Sequence, residues 1–119
     1  MISGIDLLKT VEYSLPDDKD NPTVWEIGIV SPIIWAKLSN FSVDDQDNRI
    51  AFLIKAVQYG VKGWINFNIE YKTEKEIIFD AEVTKIPMSI IQAIPILTLS
   101  ELGRKVIEIN TLTPEEIKN

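Results

Sequence analysis

The feature that most constrains the fold is one apolar stretch, Ile86-Pro87-Met88-Ser89-Ile90-Ile91-Gln92-Ala93-Ile94-Pro95-Ile96-Leu97-Thr98-Leu99. Without its prolines it would read as a single helix. Proline has no amide hydrogen and clashes with the preceding turn, so Pro87 and Pro95 limit any helix here to a short piece between Met88 and Ile94. A short helix with apolar side chains nearly all round cannot face water on any side. It is therefore either central to the core or packed against a second chain. The stretch is also too short and too interrupted to span a bilayer. On the second reading, Met88, Ile90, Ile91, Ile94 and Leu97 are candidate interface residues. Trp64 joins them because tryptophan is enriched where interfaces concentrate their binding energy. The competing reading of Trp25, Trp35 and Trp64 is that each anchors the core or its rim.

The remaining pattern predicts an α+β fold. Residues 7–15 read as a short strand. Pro16 to Pro22 is dense in turn formers, and Thr23–Val30 alternates with Trp25, Ile27 and Ile29 on one face. Ser31-Pro32 is a helix start, with serine as cap and proline at the first position, and the helix runs over 32–41. A polar link follows, then a second helix over 47–59 with Gly60 just past its end. The alternation of Ile65, Phe67, Ile69 and Tyr71, a polar turn at 72–75, and the alternation of Ile77, Phe79, Ala81 and Val83 predict an antiparallel hairpin within residues 64–86. Asp80, Glu82 and Thr84 fall on its wet face. Thr98 and Glu101 fit a capping box that opens a third helix over 99–110, with Leu99, Leu102, Val106 and Ile109 on its buried face. Thr113-Pro114-Glu115-Glu116 repeats that start signal. The expectation is one domain over residues 1–119: a small antiparallel sheet, including a β-hairpin, packed against three or more helices.

Residue inventory narrows the chemistry. The chain has no histidine and no cysteine, so Ser–His or Cys–His nucleophilic machinery cannot be assembled, and the usual zinc ligands are missing. Its five glycines form neither a P-loop nor a dinucleotide fingerprint. The acidic clusters Asp17–Asn21 and Asp44–Asn48 lack the turn glycine and closing glutamate of a twelve-residue calcium loop. These observations predict a non-enzyme with no cofactor and no resident metal. The formal charge is −6 with no basic run, which argues against direct nucleic-acid binding. Residues 1–10 carry no signal-peptide pattern, so the expected compartment is the cytoplasm in which the chain is made.

Two segments, Gly60-Val61-Lys62-Gly63-Trp64-Ile65-Asn66-Phe67 and the closing stretch from Ile107 through Asn110-Thr111-Leu112-Thr113 to Asn119, resemble a loosely defined group of small phage proteins encoded among virion and assembly genes. Thr23-Val24-Trp25 is similar to the same group. The chain departs from it at Pro95, which interrupts a helix that is continuous in other members. The group carries no established activity. The resemblance implies a setting: host cytoplasm during synthesis and then the virion, with other phage structural proteins, or the chain itself, as partners. The leading expectation is thus a non-enzymatic virion component such as a minor capsid, decoration or connector protein. The alternatives are a tail-assembly chaperone, and an acidic DNA mimic that inhibits a basic host defence protein.

Overall fold

The computed structural model describes residues 1–2, 4–38 and 46–111, with the backbone alone for 46–48. Among these the chain runs β1 (Thr10–Tyr13), β2 (Val24–Gly28), α1 (Pro32–Leu38), α2 (Gln46–Gly60), β3 (Val61–Ile65), β4 (Glu74–Ile78), β5 (Ala81–Lys85), α3 (Met88–Ile91) and α4 (Ile96–Thr111). The fold is α+β. The first three strands form an antiparallel sheet in the order β1-β2-β3, and β4 pairs with β5 alone. The expected positions Phe41, Asp44, Asp45 and Thr113 to Glu116 lie outside the described residues, as do the side chains of Asp47 and Asn48.

Alternation in β2 sends Trp25 and Ile27 into the core, where α4 packs against the strand. The stripe predicted for the last helix is the one buried: Leu99, Leu102, Val106 and Ile109. Its other wall is α2, which supplies Leu53, Ala56 and Val57. The two helices approach closely because two glycines leave room. A Cβ at Gly103 would stand 2.8 Å from the backbone oxygen of Leu53, and one at Gly60 would run into the Val106 side chain. Gly60 is therefore the last residue of α2 and not a left-handed cap beyond it; no glycine has a positive φ. At α1 the predicted start is present. Ser31 Oγ accepts from Ile33 N at 3.3 Å, and its carbonyl accepts from Ile34 N and Trp35 N.

The hairpin is real but displaced from its predicted position. Its strands are β4 and β5, and the turn is Phe79-Asp80, not residues 72–75. Both turn residues have positive φ, 49° and 63°, the backbone that a two-residue type I′ connection needs to match strand twist. Counting straight through that turn put Ile77 on the side of Val83. In the true register Ile77 lies opposite Glu82 and faces solvent, whereas Glu76 lies opposite Val83 and Ile78 opposite Ala81 on the inner side. Glu82 and Thr84 are exposed, as expected.

Residues 66–73 form no strand, and their alternating aromatics have another cause. The Trp64 indole donates to the Ile69 carbonyl at 2.6 Å, and the Tyr71 hydroxyl donates to the Val61 carbonyl at 3.1 Å. The rings of Phe67 and Tyr71 meet Trp64 edge-on, with centroids 5.3 and 4.9 Å away. A loop wrapped over one tryptophan brings every second residue back to it and so mimics strand periodicity. The capping box at Thr98 is also displaced. Leu99 N donates to the Pro95 carbonyl at 2.9 Å, so α4 opens at Ile96 and takes in Thr98. Proline costs nothing at a helix start, where its missing donor has no helical partner anyway.

Candidate interaction surface

The apolar stretch that dominated the sequence divides between inside and outside. Ile90 (8% exposed), Ile91 and Ile94 sit in the chain's own core together with Ile86 and Leu99. As candidate interface residues these three are corrected. The Pro87 carbonyl accepts from Ile90 N and Ile91 N, and the turn it opens rolls both isoleucines onto the interior. Met88, Ile96 and Leu97 point the other way, Leu97 being 79% exposed. Trp64 is half-buried, and its ring is enclosed by Trp25, Phe67 and Tyr71 of the same chain. It anchors this domain and does not stand free for a partner. Trp25 is buried, and Trp35 stacks on Phe52 between α1 and α2.

Beside the exposed corner of α4 lies a cleft of about 390 Å³. Its apolar lining comes from Leu15, Trp25, Phe67 and Pro95, and its polar lining includes Asp17 and Thr98. Each is placed by an element already described. The β1–β2 loop carries Leu15 and Asp17, β2 carries Trp25, the loop over Trp64 carries Phe67, and Pro95 and Thr98 belong to the start of α4. The loops are tied together at Asn21 and Asn66, both at positive φ: the Asn66 amide donates to Asn21 Oδ1 at 2.9 Å, and Thr23 Oγ1 donates to the Asn66 carbonyl at 2.8 Å. Ile96 and Leu97, which lie between Pro95 and Thr98 in the sequence, are exposed beside it.

At the other end of α4, Asn110 joins helix to sheet. Its Oδ1 accepts from Val30 N at 2.7 Å, and its Nδ2 donates to the Gly28 carbonyl at 3.2 Å and the Val106 carbonyl at 2.8 Å. Asn110 thus completes backbone hydrogen bonding at the end of β2 and just past it.

The strongest electrostatic feature surrounds Glu76 on the inner face of the hairpin. Lys37 from α1 and Lys85 from β5 both donate to its carboxylate, as does the Tyr59 hydroxyl from α2 at 2.7 Å. Burial alone would push the Glu76 carboxyl up; these three donors overcome it and hold it at about 2. Burial and the same carboxylate raise the Tyr59 phenol well above its ordinary value. Lys55 is pushed down, first by burial and then by Lys85 and Lys37 nearby. Three elements, α1, α2 and β5, are pinned to this one carboxylate of β4, which holds the small hairpin on the helices. Sequence reading missed this glutamate because it took the hairpin's inner face to be apolar. The available signal was Glu74-Glu76-Ile78, an acid at inward parity beside a buried isoleucine.

Twelve large apolar side chains are exposed among the described residues, and five of them, Met1, Ile2, Ile5, Leu7 and Leu8, precede β1. The sequence reading missed this arm because it began a strand at residue 7, whereas β1 begins at Thr10. Among the described residues no helix is long and apolar enough to cross a membrane, and no group of three or more Asp or Glu is placed to hold a metal ion. No protein-family model matches the chain, and no curated protein or solved structure matches it significantly.

Proposed function

We propose that the chain is a non-enzymatic structural component of a phage particle, a minor capsid, decoration or connector protein, that works through contacts with other proteins. The observation that carries this reading is the apolar corner at the start of α4. Ile96 and Leu97 are exposed side by side, and Pro95 and Thr98 next to them line an open, largely apolar cleft. Single exposed aliphatic residues are ordinary, but a contiguous apolar surface edged by polar groups is where proteins meet partners. The phage setting comes from the resemblance of residues 60–67 and 107–119 to small virion and assembly proteins. Within these segments, Asn110 serves the fold.

Mass spectrometry of virions purified from the encoding phage tests the reading. Peptides from this chain should be present at a level comparable with other minor structural proteins. Their absence from finished particles, with the protein abundant in infected cells, would favour the tail-assembly chaperone instead.

A further inference from the structure

The arm before β1 and the cleft at the start of α4 are both apolar, both open, and set at opposite ends of the same layer. The register fixes this. Thr10 pairs with Gly28 and Tyr13 with Trp25, so the arm leaves the sheet at the Gly28 end while the cleft is built at the Trp25 end. The last helix runs the same way. Pro95 and Thr98 border the cleft, and Asn110 holds Gly28 and Val30. The helix from Thr98 to Asn110 is about 18 Å long. A turn at residues 6–9, in which Leu8 N donates to Asp6 Oδ1 at 3.0 Å and Lys9 N to the Asp6 carbonyl, shapes the arm where it meets β1. Ile2 and Leu8 are more than nine-tenths exposed, and no described arm residue lines the cleft of its own chain.

We propose that the arm of one copy occupies the cleft of a second copy, head to tail. This rests on the reading of the chain as an assembly component and names the contact. The chemistry matches. The arm offers aliphatic side chains, which Leu15, Trp25, Phe67 and Pro95 can cover; its charged side chains are Asp6 and Lys9, and those lining the cleft, Asp17 and Asp18, are both acidic, so Lys9 is opposite in sign to them. Made head to tail, between copies that point the same way, the contact is heterologous. It leaves a free arm at one end of every dimer and a free cleft at the other, so assembly continues to a ring or a filament. The overall charge of −6 makes copies repel, and salt screens that repulsion.

Sedimentation velocity on the full chain, from micromolar to millimolar concentration and in low and high salt, tests the proposal. The wild type should grow past the dimer with concentration, more readily in high salt. An arm variant, Ile5→Glu with Leu8→Glu, and a cleft variant, Thr98→Arg, should each stay monomeric, because each buried aliphatic side chain is worth at least about tenfold in affinity. Mixed in equal amounts, they should form one-to-one dimers and stop there, since one retains a cleft and the other an arm. Circular dichroism confirms that each variant is folded, and Asp17→Arg serves as the second cleft variant if Thr98→Arg is not. A wild type that stays monomeric, a mixture that stays monomeric, or a dimer that both variants retain would overturn the proposal. None of these results touches the virion measurement, so the broader reading stands or falls separately.

Discussion

Replacing Glu76 by Gln keeps the shape of the side chain and removes the charge on which Lys37, Lys85 and Tyr59 converge. The carboxyl is held at about 2 against an ordinary value of 4.5. At about 1.36 kcal/mol per pH unit, that gap corresponds to about 3 kcal/mol of stability linked to the ionised form. Lys37 is 40% exposed, so solvent screens its share and about 2 kcal/mol is the lower expectation. The sign follows from the direction of the shift. A carboxyl lowered by folding contributes fully above its unfolded value, and the contribution fades as the pH falls from 4.5 toward 2. Urea unfolding of both proteins at neutral pH should show the variant about 2–3 kcal/mol less stable. Repeated at falling pH, the difference should shrink through that window and nearly vanish at its lower end. A variant within about 0.5 kcal/mol of wild type at neutral pH, or a difference that does not change with pH, would refute the view that this carboxylate fastens the hairpin to the helices.

Three further outcomes follow from the packing. Ile90→Ser with Ile94→Ser should abolish cooperative unfolding, since each site is buried and large-to-small changes there cost about 2–5 kcal/mol; Leu97→Ser should stay within about 0.5 kcal/mol of wild type in the same melts. Gly103→Ala should cost about 1–3 kcal/mol in urea unfolding, because its methyl group meets the Leu53 backbone oxygen and α2 must move away from α4. Phe79→Asn with Asp80→Gly should raise stability by about 1 kcal/mol, because both positions hold a left-handed backbone that asparagine and glycine adopt with less strain; an unchanged or lowered thermal midpoint would contradict this.

What was legible in the sequence was whatever rested on a single element and its own period. The buried stripe of α4, the Ser31-Pro32 helix start, and the inward Trp25 and Ile27 all follow from spacing alone. The misreadings share one cause, which is that the deciding interaction lies elsewhere in the chain. Trp64 gathers Phe67 and Tyr71 into a loop that has strand-like alternation. The positive φ values at Phe79 and Asp80 hide a turn inside a run that reads as continuous strand. The apolar stretch 86–99 was expected to face water on no side, yet Ser89, Gln92 and Ala93 are exposed along with three of its large apolar residues. Its division into buried Ile90, Ile91 and Ile94 and exposed Met88, Ile96 and Leu97 depends on where α2 and the hairpin come to rest, which no local pattern specifies. The arm and the cleft are the least legible of all, since they matter through a register that places them at opposite ends.

A density map of the intact phage particle, at a resolution that shows side chains, tests the central claim most directly. The account predicts the chain in defined density, with Ile96 and Leu97 at the start of α4 within van der Waals contact of a neighbouring protein. Defined density in which that corner faces solvent on every copy would contradict it.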